Sequence, residues 1–85
     1  MKKNILIADD SESILAVVSA TLEEDYDVTT ALDGAEAINK LNEDIKFDLI
    51  ITDLNMPHKD GIEVIKSARS QERYGLIPIL ILTTE

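Results

Sequence analysis

Four short runs in this chain of 85 residues are apolar at consecutive positions, at 5–8, 28–31, 47–52 and 77–83. A strand with one wet face alternates apolar and polar residues, whereas a strand covered on both faces need not, and sheets covered on both faces are mostly parallel ones with helical crossovers. The segments between the runs have the matching helical period. Ile14, Val17, Val18, Thr21 and Leu22 form one stripe, Ala37, Ile38 and Leu41 a second, and Ile62, Val64, Ile65 and Ala68 a third. Ser11 or Asp10 can cap the first helix, Asp33-Gly34-Ala35-Glu36 reads as a capping box for the second, and Asp60-Gly61 can turn the chain into the third. The order strand, helix, strand, helix, strand, helix, strand predicts an α/β fold with a parallel sheet and right-handed crossovers. Pro78 falls near the start of the fourth run, where a missing N–H is tolerated.

Eighty-five residues suffice for one small domain, so 1–85 is read as a single unit whose core alone gives marginal stability. A net charge of -9 argues against binding to nucleic acid or an anionic membrane and favours basic partners or a divalent cation. There is no cysteine, which excludes disulfides and thiolate metal sites, and the lone His58 cannot build a zinc site by itself. Lys2-Lys3 precede an apolar run that Asp9 interrupts, too short for a signal peptide or a membrane span, so a cytoplasmic location is expected.

Acidic residues stand at the ends of two of the runs, Asp9 and Asp10 after the first and Asp53 after the third. In open doubly wound sheets the ligand site lies beyond the carboxyl ends of the strands, where the strand order reverses. With the order 2-1-3-4 the first and third strands are neighbours, the three acids meet there, and Thr83 at the tip of the fourth strand comes beside Asp53. Clustered carboxylates repel unless a cation sits among them, and oxygen ligands with room for a phosphate suit Mg²⁺. The turn after the first strand has neither a G-x-G-x-x-G pattern nor a P-loop lysine, which excludes the common nucleotide sites. A carboxylate beside such an ion can attack phosphorus and form an acyl phosphate. Taken singly, each acid has a plainer explanation: Asp9 or Asp10 as a helix cap, Asp53 as a turn residue before Asn55-Met56-Pro57, Thr83 as a strand former. Their joint placement is what favours chemistry. His58 reads as an exposed loop residue, the acids at 23–27 as a solvated loop, and Tyr26 and Tyr74 as partly packed residues at helix ends.

Asp9-Asp10, Asp53-Leu54-Asn55-Met56-Pro57, Asp60-Gly61 and Thr83-Thr84, in this order and spacing, together resemble the receiver domain of two-component response regulators, closest to the single-domain chemotaxis type. The resemblance implies a flavodoxin-like doubly wound sheet and a signalling module, not an enzyme, that takes a phosphoryl group from a histidine kinase and is read by a downstream effector. It implies Asp53 as the phosphoacceptor, Asp9 and Asp10 with Asp53 as holders of Mg²⁺, Asn55 as a metal ligand through its backbone carbonyl, and Thr83 as the switch hydroxyl with Thr84 beside it. It also implies a lysine and an aromatic residue on a fifth strand. The chain ends before either, so the expectation is a receiver that lacks the last helix-strand-helix of the complete fold.

Two other functions compete. A Mg²⁺-dependent phosphohydrolase of the haloacid-dehalogenase kind also uses an aspartate at a strand tip, but it needs a second acid two residues on, where this chain has Asn55. A chemically inactive fragment that forms a homodimer through the edge of its fourth strand is the third reading, because an apolar edge with unpaired N–H and C=O groups is a template for pairing.

Overall fold

The structure is a computed structural model that describes residues 2–82. Its elements are β1 (Lys3–Ala8), α1 (Glu12–Leu22), β2 (Tyr26–Ala31), α2 (Gly34–Leu41), β3 (Leu49–Asp53), α3 (Gly61–Arg69), a 3-10 turn (Glu72–Tyr74) and β4 (Ile79–Leu82). All strand pairs are parallel, as the alternating pattern predicts, and the order is β2-β1-β3-β4, the doubly wound order supposed for the site.

The helices lie on both faces of the sheet because consecutive strand residues point opposite ways. Leu6, Ala8 and Ile50 face α2 and α3, packing with Ala37, Leu41, Val64 and Ala68. Ile5, Ile7 and Ile51 face the other way onto Leu15, Val18 and Leu22 of α1. Each such aliphatic side chain contributes roughly 1.5–3 kcal/mol when fully buried, so the two central strands carry the fold.

Each helix starts on a side-chain cap. Ser11 Oγ accepts from Ile14 N at 3.3 Å, Asp33 Oδ1 from Glu36 N at 2.8 Å, and Asp60 Oδ1 from Glu63 N at 3.0 Å. The return arm of the expected box at 33–36 is displaced by one residue: Glu36 Oε1 accepts from Leu32 N at 2.7 Å.

Several expectations need correction. The core side of α1 is Leu15, Val18 and Leu22, while Val17 and Thr21 face solvent. The predicted stripe is rotated by about one residue, because Val17 and Val18 are equally apolar and the pattern alone cannot say which turns inward. Ile62 is likewise exposed, and Gly61, Val64 and Ala68 form the buried side of α3. The third strand begins at Leu49; Phe47 is fully buried from the connection before it. Among the described residues only β1 and β3 are buried on both faces, while β2 and β4, outermost in the described sheet, are partly exposed. Leu80 and Ile81 of β4 remain 53% and 46% exposed.

Tyr74, expected to be partly packed, is fully buried. Its hydroxyl donates to Ile45 O at 2.7 Å and its ring lies 6.3 Å from that of Phe47. Arg73 covers the same ring at 4.6 Å and donates through Nη2 to the carbonyls of Leu41 and Glu43, satisfying the exposed end of α2. This clasp holds the end of the sheet remote from the acids.

Candidate functional site

The pairing register brings the acids together. Ala8 lies level with Thr52 across β1 and β3, so the next residues, Asp9 and Asp53, emerge side by side at the carboxyl ends of the two best-buried strands. Carboxylate oxygens of Asp9, Asp10 and Asp53 all lie within 4.8 Å of one another, with Asp9 and Asp53 buried and Asp10 exposed. The carboxyl-end site at the point of strand reversal is therefore present in the geometry.

Asp9 is the most constrained of the three, at 1% exposure. Its backbone N–H donates to Ala31 O at 3.1 Å, which ties it to the tip of β2. Its Oδ1 accepts from Ser11 N at 2.9 Å, and its Oδ2 is buried without a hydrogen-bond partner among the described residues. Burial pushes the Asp9 carboxyl above its ordinary value; the Ser11 N–H bond opposes the rise, and the charges of Asp53 and Asp10 add to it. A buried carboxylate oxygen with no donor costs free energy that a cation would recover. An all-oxygen donor set of this kind suits a hard divalent ion and not a soft one. The residues thus fit Mg²⁺.

Asp53 is held from behind and above. Thr52 Oγ1 donates to Asp53 O at 2.9 Å, and Asn55 N donates to Asp53 Oδ1 at 3.4 Å. Asn55 itself is exposed at the start of the loop that covers the strand tip. That loop closes where Gly61 N donates to Leu54 O at 2.9 Å. Within it, His58 is exposed as expected and has φ 71, a left-handed value, and Lys59 N donates to Pro57 O at 2.9 Å across it.

Of the expected site residues, the structure joins Asp9, Asp10 and Asp53 and places Asn55 beside them through its amide. Thr83 and Thr84 lie outside the described residues. On β4 the residue level with Asp53 is Leu82.

Sequence reasoning placed Gly34 and Gly61 at helix starts and gave neither a role in holding the site. A Cβ on Gly61 would overlap Asp53 O and lie 2.9 Å from Leu54 Cα; a Cβ on Gly34 would overlap Lys59 O. The available signal was the Asp-Gly pair repeated at 33–34 and 60–61, each at the start of a helix.

Comparison with known proteins agrees with this geometry. The family model described as response regulator receiver domain matches residues 5–85. The alkaline phosphatase synthesis transcriptional regulatory protein PhoP of Bacillus subtilis is 46% identical over 86 residues, which cover 100% of this chain and 35% of that protein. Chemotaxis response regulator CheY4 of Vibrio cholerae superposes with a TM-score of 0.93 at 46% identity, over 100% of this chain and 71% of that one. The receiver domain of a sensor histidine kinase from Pseudomonas aeruginosa, solved with a magnesium ion coordinated in its active site cleft, gives a TM-score of 0.88 at 31% identity, over 98% of this chain and 68% of that one. The chain thus spans about a third of the transcriptional regulator and between two thirds and three quarters of the two solved chains.

Proposed function

This chain belongs to the response regulator receiver domain family of two-component signalling, and on that premise we propose that Asp53 is its phosphoacceptor and that Asp9, Asp10 and Asp53 hold Mg²⁺ for the transfer. The observation that carries the reading is the convergence of the three carboxylates, together with a buried Asp9 oxygen that has no hydrogen-bond partner among the described residues.

Bound there, Mg²⁺ would neutralise the acids and screen the incoming phosphoryl charge. The chain's own groups supply the rest. An Asp53 oxygen attacks phosphorus as the bond from phosphorus to the donor breaks, giving an acyl phosphate and releasing the donor. The Asn55 N–H on Asp53 Oδ1 orients the carboxylate, and Thr52 fixes the backbone beneath it. Asp9, anchored by Ser11 and the β2 tip, cannot swing away from the metal position. The Asn55 backbone carbonyl completes the metal ligands and Thr83 supplies the switch hydroxyl in this proposal. The natural donor is a histidine kinase and the reader a downstream effector.

The test is incubation of the full chain with Mg²⁺ and a small phosphodonor, or with beryllofluoride, followed by intact mass and peptide mapping. The expected product is one adduct on Asp53, absent from Asp53→Asn and absent with a chelator. An adduct elsewhere, or none, would sink the assignment.

A further inference from the structure

The loop that follows Asp53 is wedged between the starts of two helices. On one side Gly61 opens α3 so close to the strand that an added Cβ would overlap the Asp53 carbonyl oxygen. On the other side Gly34 opens α2, where a Cβ would overlap Lys59 O and lie 2.7 Å from Lys59 Cβ. Gly34 and Gly61 are both buried. Neither helix start has room to drift. Asp33 caps α2 and Leu32 N is tied to Glu36, while Ala37 and Leu41 anchor the helix in the core. Asp60 caps α3, with Val64 and Ala68 buried behind it.

Inside the loop, the left-handed His58 and the Lys59 N to Pro57 O bond form a tight turn leading into Lys59, whose carbonyl is the group resting on Gly34. The chain is therefore in backbone contact from α2 through Lys59 to Gly61, and from Gly61 to the backbone of Asp53. Gly34 and Gly61 are buried at the two ends of this stack, where close packing leaves little slack, so a shift at Gly34 is felt along it.

We propose that Gly34, on a different helix from the site, is a positioning residue for the Asp53 carboxylate: it seats α2 on the Lys59 carbonyl and so sets the height of the 54–60 loop over the strand tip. The inference rests on the phosphoacceptor reading for its chemical meaning, and the geometry is independent of it. A methyl group at Gly34 meets backbone, which no side-chain rotation can clear. Lys59 or the start of α2 must shift, and the loop that carries Lys59 runs straight on to Gly61, whose N–H is bonded to Leu54 O. Misplacement of a reacting group by about 1 Å can cost on the order of a hundredfold.

The experiment uses the full chain and compares the parent with Gly34→Ala, Lys59→Gly and Gly75→Ala. The last is a control, since a Cβ there would make an ordinary contact at 3.5 Å with Glu72 O. Mg²⁺ is titrated while the backbone amide signals of Asp53, Asn55 and Gly61 are followed by nuclear magnetic resonance, and beryllofluoride adduct formation is scored alongside. Gly34→Ala should bind Mg²⁺ about tenfold more weakly, a fraction of the loss such misplacement permits, and should move those three amide signals without metal. Lys59→Gly, which gives the loop slack with no added bulk, should weaken Mg²⁺ in the same direction. Gly75→Ala should match the parent. A folded Gly34→Ala with parental Mg²⁺ affinity and unmoved Asp53 and Asn55 signals overturns the proposal, and if that variant does not fold, parental behaviour of Lys59→Gly overturns it. A parent that binds no Mg²⁺ would refute the phosphoacceptor reading instead; the metal-free amide signals then decide the positioning role, moved in its favour and unmoved against it.

Discussion

Replacing Asp9 with asparagine should make the metal-free protein more stable and the metal-bound protein less so. Oxygens of the buried Asp9 and Asp53 carboxylates lie within 4.8 Å of each other. Two unit charges at that distance repel by about 3.5 kcal/mol at an effective dielectric of ~20. Each charge is spread over two oxygens, and only the closest pair is that near, so roughly half, about 1.5–2 kcal/mol, is the better figure. The substitution keeps the shape and keeps the acceptor for Ser11 N, which Oδ1 of either residue provides. It also replaces the unpartnered Oδ2 by an amide nitrogen able to donate toward Asp53. For a domain of this size the gain corresponds to a rise of roughly 6–15 °C in Tm. With Mg²⁺ at about a hundred times its Kd the parent gains about 2.7 kcal/mol by mass action, and the Asp9→Asn variant, which has lost an anionic ligand, gains much less. Thermal melts by circular dichroism at neutral pH, in chelator and in excess Mg²⁺, should therefore cross: variant above parent without metal, parent gaining on it or overtaking it with metal. A variant that melts at or below the parent in chelator would refute the premise that the buried acids repel.

Other outcomes follow from the same coordinates. The folded Asp9 carboxyl keeps its proton to a higher pH than its ordinary 3.8; the folded state then binds more protons than the unfolded one, so this group's contribution to stability falls as pH rises through that window. The difference in Tm between parent and Asp9→Asn, measured in chelator against pH, should open above 3.8 and then level off, and a gap independent of pH would contradict it. Tyr74→Phe removes the donor to Ile45 O and should cost about 1–2 kcal/mol by denaturant unfolding with Mg²⁺ affinity unchanged, because the clasp is remote from the acids. Asp33→Ala removes the α2 cap and should cost about 1 kcal/mol in the same assay. Gly61→Ala drives a methyl group into the Asp53 carbonyl and should cost at least 3 kcal/mol, the upper end for overpacking, with loss of Mg²⁺ binding.

The parallel sheet and the helix count were legible because they depend on coarse features, consecutive apolar residues and helical period; the strand order, and with it the meeting of Asp9, Asp10 and Asp53, came from the doubly wound arrangement that the acids at run ends and the family resemblance suggested. The rotation of α1 was not, since Val17 and Val18 differ by a hundred degrees on the helix and not at all in chemistry. Phe47 and Tyr74 were misjudged for a related reason. Both are core residues supplied by connections, where no period marks the inward side, and Tyr74 is drawn in by the Ile45 carbonyl and the Arg73 cover, partners about thirty and one positions away. The role of Gly34 was passed over because its neighbour, Lys59, is distant in sequence and acts through its backbone, which carries no residue signature.

The location of the acids follows from what the fold can bear. Mutually repelling buried carboxylates destabilise whatever carries them, and an edge strand frays under such a load. Asp9 and Asp53 extend β1 and β3, the two strands flanked on both sides and buried from Ile5 to Ala8 and from Ile50 to Thr52. On β2, half-exposed and paired on one side only among the described residues, the same charges would move the strand tip outward until water screened them. Rigid central strands prevent that relaxation, so the repulsion persists in the metal-free state as stored free energy. A divalent ion that binds there is held partly by the relief of that repulsion. The same cost that lowers apo stability therefore raises metal affinity, which is why Mg²⁺ must raise the melting temperature of the parent more than that of Asp9→Asn if the site works as proposed.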